Sequence, residues 1–90
     1  MDKIERYKLT DQAFQQIKDK ILSGEWASGE KIPSEIELAA QLGISRMSLR
    51  VALQKANLLG LVETRVGEGT FVSKFNLQTY FDQLYQNGLL

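Results

Sequence analysis

Two short helical patterns separated by a very tight turn constrain the fold of this 90-residue chain more than any other feature. The first helix is expected to start after Ser34, whose hydroxyl can accept the N–H of Glu37 while the Glu37 carboxylate reaches back to the Ser34 N–H, as in a capping box. Gly43 suits the left-handed residue that ends a helix, and Ser45 can cap a second helix running to about Leu59. The single residue between Gly43 and Ser45 indicates a helix-turn-helix.

Apolar periodicity predicts a further helix before this pair and a β-hairpin after it. From residue 61 to residue 73 the period changes to two around Gly67-Glu68-Gly69, which is typical of a hairpin. Lys31 and Ile32 are expected to be extended, because the residue before a proline avoids the helical region. A helix over about Thr10–Ser23, with Thr10 as its cap, is predicted by apolar residues at intervals of four, widened by two more: Leu9, Ala13, Ile17, Ile21, with Phe14 and Leu22.

These elements make a mainly α fold with a small β-hairpin, that is, a winged helix-turn-helix of three helices plus a wing. In this fold the helix after the turn enters the major groove of DNA and the hairpin flanks it. The order of elements therefore makes DNA a candidate partner.

Composition limits the kinds of function that the chain can have. It contains no histidine and no cysteine, which removes the commonest catalytic base, thiol nucleophiles and the usual zinc ligands. We therefore expect no enzyme activity, no metal site and no cofactor. The apolar runs are too short to span a bilayer and the N-terminus lacks the apolar core of a signal peptide, so we expect a cytoplasmic protein without a membrane partner.

The formal net charge is zero, which by itself counts against a nucleic-acid partner. The distribution of charge is more favourable, since residues 44–75 carry five basic and two acidic side chains. This segment holds the second helix of the pair and the hairpin, where DNA contacts would fall.

Several motifs follow one another in the order that is found in one family of regulators. Residues 32–39 read IPSEIELA, residues 43–53 read GISRMSLRVAL, residues 60–63 read GLVE and residues 67–72 read GEGTFV. Together they resemble the N-terminal DNA-binding domain of the GntR family over roughly residues 9–73.

The resemblance implies a dimeric bacterial regulator, expected to be a repressor, that binds a short palindromic operator in double-stranded DNA. It also implies a separate C-terminal domain that binds a small effector. Residues 1–75 would be the DNA-binding domain, and residues 76–90 a linker or the start of an effector domain that is missing here. LTDQ at residues 9–12 and ILSG at residues 21–24 are closest to the FadR-type branch, with a HutC-type continuation as the alternative.

Five residues of the recognition helix, residues 45–59, are candidates for DNA contact. Arg46 and Arg50 lie four residues apart and so share a face, their positions contact DNA in the family, and an arginine can donate two hydrogen bonds to guanine. Ser45 can cap the helix and leave backbone N–H groups for a phosphate. Ser48 can bind a phosphate or a base, and Met47 can press on a thymine methyl group; for both, ordinary surface exposure is the alternative.

The preceding helix supplies two further candidates, Ser34 and Glu35. In the family this helix lies over the DNA backbone, so N–H groups near Ser34 can bind a phosphate. Ile36 departs from the family, which usually has an arginine there that contacts DNA. Isoleucine cannot neutralise a phosphate, and we expect one anchor to be lost.

The wing supplies the remaining candidates and a second departure from the family. Gly67 and Gly69 suit a tight turn and allow close approach to a sugar-phosphate backbone, or serve the turn alone. Glu68 lies where the family usually has a basic or polar residue. Because a carboxylate repels phosphates, we expect Glu68 to point away from DNA, or the wing to contribute less than usual, and Arg65 and Thr70 to be the better candidates.

The alternative function is a winged-helix module that binds another protein and not DNA. Ile36, Glu68 and the zero net charge favour it, and an apolar patch of Met47, Val51 and Leu58 would favour it further. An enzyme is disfavoured, because the sequence shows no recognisable pair of base and nucleophile.

Overall fold

The computed structural model describes residues 3–74 and 84–88. Over these residues the fold is mainly helical with one antiparallel hairpin, as the sequence predicts. The elements in chain order are α1 (Lys3–Leu22), α2 (Glu35–Leu42), α3 (Arg46–Leu58), β1 (Val62–Arg65) and β2 (Gly69–Val72).

Helix α1 is longer than the sequence pattern indicated. It begins at Lys3 and not after Thr10, so Thr10 lies inside the helix, where it is 9% exposed, and does not cap it. The physical reason is that residues 3–9 contain no glycine or proline, so nothing stops the helix from extending toward the N-terminus. Leu22, expected in the apolar stripe, is 41% exposed at the end of the helix.

Serine caps define the two helices of the helix-turn-helix. The Ser34 hydroxyl accepts the N–H of Glu37 at 3.2 Å, and the Ser45 hydroxyl accepts the N–H of Ser48 at 3.1 Å. Gly43, with φ of 69°, ends α2 in the left-handed conformation. One detail of the expected capping box is wrong: the Glu37 carboxylate accepts from the Ser34 hydroxyl at 3.0 Å and not from the Ser34 N–H.

The core forms where α1 packs against α3, with α2 and the base of the hairpin closing it. Ile17 of α1 and Leu49 of α3 are both 0% exposed. The remaining buried side chains come from every element, and Trp26 joins them from the loop after α1.

The wing is built from three segments of chain. In the hairpin Glu63 pairs with Phe71 and Arg65 with Gly69. The outer edge of β2 is bonded to the loop before α2, because the Ile32 N–H donates to Thr70 O at 2.9 Å and the Val72 N–H donates to Glu30 O at 2.8 Å. The extended conformation expected near Lys31 thus serves to attach the wing to the core.

The predicted helix from residue 76 onward lies largely outside the described residues. Residues 84–86 are helical, and Leu84 packs against the core. Within the described part of the chain, no helix has the length and apolar character needed to cross a membrane.

Two leucines of α3 provide a matched test of this packing. Leu49 is 0% exposed and Leu58 is 87% exposed. We expect Leu49→Ala to lower the free energy of unfolding by about 2–5 kcal/mol, because it leaves a cavity in the core. Leu58→Ala should change it by no more than about 0.5 kcal/mol. Urea denaturation followed by circular dichroism measures both, and equal losses would contradict the packing described here.

Candidate nucleic-acid interface

Helix α3 buries one face and exposes the other at its N-terminal end. Leu49, Ala52 and Ala56 are each 0% exposed against the core. Arg46 and Arg50 share a flank of the helix beside this buried face and are exposed, as predicted. The structure therefore presents two guanidinium groups from the first turns of the helix that follows the turn.

Arg50 is held by a carboxylate from the neighbouring helix. Its Nε lies 3.1 Å from Oε1 of Glu35, and the two side chains are 49% and 35% exposed. Within the described part of the chain, the side chain of Arg50 makes this one hydrogen bond. The two terminal nitrogens of Arg50, which can bind the edge of a guanine, have no hydrogen-bond partner among the described residues.

An open groove of about 460 Å³ runs between the helix-turn-helix and the wing. Arg46 lines it on the helical side and Arg65 on the wing side. Ser34 and Glu35 contribute the start of α2 to the same groove. The groove thus brings together candidate residues from three elements, and its remaining lining residues are Pro33, Ile36, Leu53, Thr64, Val66, Gly67, Glu68, Gly69 and Thr70.

Arg65 is supported within the wing by an aromatic ring and a carboxylate. Its guanidinium carbon lies 4.2 Å from the centre of the Phe71 ring, and its Nε lies 3.6 Å from Oε1 of Glu63. The side chain is 40% exposed, so the cation stays accessible while its stem is packed. Thr70, the other wing candidate, is partly buried and its hydroxyl lies 3.2 Å from that of Thr64.

Gly67 and Gly69 have different roles in the wing. Gly67 has φ of 78° with open space where a Cβ would stand, so only its backbone conformation requires glycine. A Cβ on Gly69 would stand 2.6 Å from Cε of Lys31, whose side chain crosses the glycine. Lys31 therefore occupies the space beside Gly69 in the direction of the missing Cβ. The expectation that Gly69 allows close approach of DNA does not hold from that direction.

Lys31 is a candidate that the sequence did not reveal. It is exposed, and it pairs with Phe71 of the wing although the two residues are forty positions apart in the sequence. No local pattern around Lys31 indicates this neighbourhood, which arises from the pairing of the loop with β2.

The structure also corrects one candidate on the recognition helix. Ser48 is 3% exposed and its hydroxyl lies 3.1 Å from that of Ser45, so it faces the protein and not the outer surface. Ser45 is exposed and caps the helix as expected. Met47 is 60% exposed and is available for contact.

Glu68 lies at the exposed tip of the wing and lines the groove. Both alternatives for this residue, that it points away from DNA or that the wing contributes less than usual, stay predictions. Within the described residues, no cluster of acidic, histidine or cysteine residues could hold a metal ion.

Five exposed apolar side chains lie along α3 or line the groove. Met47, Val51 and Leu58 lie along α3 and are 60%, 44% and 87% exposed. Ile36 and Val66 line the groove and are 62% and 98% exposed. Their exposure is the feature expected of a protein-binding module, so geometry alone leaves that function open.

Comparison with known proteins distinguishes the two functions. The family described as bacterial regulatory proteins, gntR family, matches residues 9–72. The chain is 38% identical to the HTH-type transcriptional regulator Mce2R of Mycobacterium tuberculosis, over 97% of this chain and 38% of the relative. It is 47% identical to the histidine utilization repressor of Klebsiella aerogenes, over 67% of this chain and 25% of the relative. The chain thus spans well under half the length of these curated relatives.

A solved structure extends the comparison to three dimensions. The fold is similar to that of AraR(DBD) in complex with its operator ORR3, with a TM-score of 0.69 and 35% identity, over 72% of this chain and 78% of that one. The matched family covers the serine caps, both helices of the helix-turn-helix and the hairpin. The chain therefore belongs to the gntR family of bacterial regulatory proteins.

Proposed function

We propose that this chain is the DNA-binding domain of a cytoplasmic transcription repressor, and that it reads a short palindromic operator through residues 45–59. The observation that carries the proposal is the groove between α3 and the wing, lined by Arg46 and Arg65 on its two sides. Arg50 extends from the same end of the recognition helix. The structure of AraR(DBD) with its operator, at 35% identity, supports a duplex as the partner.

In this proposal the N-terminal end of α3 enters the major groove. Arg46 and Arg50 then meet base edges or the adjoining phosphates, and Met47 meets a thymine methyl group. The groove beside α3 accommodates the sugar-phosphate strand that separates the major groove from the minor groove. The wing lies beyond this strand, which is the arrangement expected of a winged helix-turn-helix.

Phosphate contacts come from residues on both sides of the groove. Arg65 and Lys31 supply cations from the wing, and the backbone N–H groups near Ser34 and Ser45 supply hydrogen-bond donors at two helix N-termini. Gly67 itself adds no side chain at the tip of the wing. Ile36 and Glu68 add no positive charge, so the electrostatic part of the binding energy is small.

Glu35 acts on Arg50 in this proposal and need not act on DNA directly. By accepting from Nε, its carboxylate holds the guanidinium and leaves the two terminal nitrogens for DNA. Two parallel hydrogen bonds from these nitrogens match O6 and N7 of guanine. The same carboxylate also repels phosphates, which lowers affinity for every sequence, and the hydrogen bonds of Arg50 offset this loss only where the matching base is present.

The whole protein is proposed to be a homodimer on DNA, with a C-terminal domain that binds a small effector. Dimer symmetry would explain a palindromic operator, because each half-site would be read by one copy of the domain. The opening residues 9–12 and 21–24 favour a FadR-type effector domain, whereas similarity to the histidine utilization repressor favours a HutC-type domain.

A protein-binding role is the second candidate, favoured by the exposed apolar side chains Met47, Val51 and Leu58. Two helical turns between Val51 and Leu58 place them near one line along α3. In the proposed function Met47 faces the bases. If the chain bound no duplex but bound another protein through these three side chains, the second candidate would be favoured.

The first test is whether the domain binds DNA with the salt dependence of phosphate contacts. Duplexes selected from a random library are labelled and titrated with the chain, and binding is followed by fluorescence anisotropy at several salt concentrations. With roughly three phosphate contacts per subunit, log K should fall with log salt with a slope of about −3. Binding that is absent for every duplex, or insensitive to salt, would contradict the proposal.

Arg50→Ala tests sequence reading. We expect it to remove most of the preference for the selected duplex over an unrelated one, since a paired arginine contributes about 1–3 kcal/mol of discrimination. Lys18→Ala on α1 is the charge-matched control and should leave the ratio of the two affinities unchanged. An unchanged ratio in Arg50→Ala would show that Arg50 does not read bases.

Glu35→Gln tests the ion pair, with two effects of opposite sign. Affinity for an unrelated duplex should rise several-fold, because a carboxylate beside the phosphates is removed. The ratio of specific to unrelated affinity should fall, because Arg50 is less firmly oriented. Asp19→Asn on α1 removes the same charge away from the site as the control. A parallel rise in both affinities would show that Glu35 acts through charge alone.

A further inference from the structure

Strand β1 is the outer edge of the wing sheet. Strand β2 lies between β1 and the loop at residues 29–32, so both edges of β2 are bonded. Among residues 3–74 and 84–88, no further strand receives the outward N–H groups of β1. Exposed strand edges of this kind need a partner from elsewhere in the fold or from water.

Asn57, near the end of α3, supplies that partner. Its Oδ1 accepts the backbone N–H of Thr64 at 3.3 Å, and its Nδ2 donates to the Thr64 hydroxyl at 3.1 Å. Nδ2 also donates to Leu53 O, at 3.1 Å, one helical turn earlier. One amide thus binds the recognition helix and the wing at the same time.

The network continues across the hairpin and ends beside a candidate cation. The Thr64 hydroxyl lies 3.2 Å from that of Thr70 on β2. Arg65, the last residue of β1, directly follows Thr64, and its guanidinium rests on Phe71 of β2. The position of Arg65 relative to α3 therefore depends on how β1 is held against the helix.

We infer that Asn57 is a positioning residue that sets the wing against the recognition helix, so that Arg65 reaches the DNA backbone when Arg46 and Arg50 enter the major groove. The inference rests on the proposed function and adds a specific role to a residue without its own DNA contact. Within the described residues, no side-chain hydrogen bond other than those of Asn57 joins α3 to the hairpin.

The exposure of this network separates positioning from stability. Asn57 and Thr64 are both exposed, so their hydrogen bonds compete with water and contribute little to the free energy of unfolding. Alanine also favours a helix more than asparagine does. Asn57→Ala is therefore expected to stay folded while the wing loses its side-chain hydrogen bonds to α3.

Amide hydrogen exchange tests the attachment in the free protein. In Asn57→Ala the Thr64 amide should exchange several-fold faster, whereas the Leu49 amide inside α3 should not change. Gln16→Ala, which removes an exposed amide side chain from α1, is the control and should change neither. Unchanged protection at Thr64 would overturn the inference.

A double-mutant cycle tests the consequence for DNA binding, using the duplex selected above and the salt titration. Arg65→Ala should make the slope of log K against log salt less steep by about 0.9, the value for one phosphate contact. Asn57→Ala should produce most of the same change, and the double variant should resemble Arg65→Ala alone. The cycle with Arg46→Ala should be additive.

The outcomes distinguish the two levels of the proposal. If the unaltered chain binds no duplex, the proposed function fails and the inference fails with it. If it binds and Asn57→Ala keeps the original slope, or the effects of Asn57→Ala and Arg65→Ala simply add, the inference alone is overturned. Should Asn57→Ala fail to fold, Thr64→Val removes the hydroxyl from the same network and is judged by the same slope.

Discussion

The packing of α3 against α1 determines which residues the recognition helix can present. Leu49, Ala52 and Ala56 lose all contact with solvent at this interface. Since a helix turns by about 100° per residue, burial of these positions places Met47 and Val51 on the opposite side and leaves Arg46 and Arg50 exposed on the flank between. A helix rotated about its axis would bury a guanidinium and expose a leucine, at a cost in both the hydrophobic and the electrostatic free energy.

The serine caps determine where that face begins. Ser45 ends the turn and starts α3, so Arg46 is in the first turn and projects from the end of the helix. Ser34 does the same for α2 and places Glu35 beside Arg50, across the turn. Local hydrogen bonds of neutral side chains thus bring charged groups from two helices together.

Zero net charge is consistent with a DNA-binding surface because the charges are arranged in pairs. Glu35 lies against Arg50 and Glu63 near Arg65, so two of the three candidate arginines have a carboxylate neighbour. Such pairs reduce general attraction to phosphates, which carries no sequence information. They also orient guanidinium groups. The proposed interface therefore has lower affinity for DNA in general and a higher ratio of specific to unrelated affinity.

The sequence by itself determined the local structure: the caps at Ser34 and Ser45, the turn at Gly43 and the hairpin all follow from short patterns of residue type. Local patterns were insufficient in two cases. They placed the start of α1 at Thr10, because no glycine or proline marks its true start at Lys3, and they did not show that the rotation of α3 buries Ser48. Only the tertiary structure placed Lys31 against Gly69, Glu35 against Arg50 and Asn57 against Thr64. These contacts join residues on different elements, so they depend on how the elements pack and leave no periodic trace along the chain.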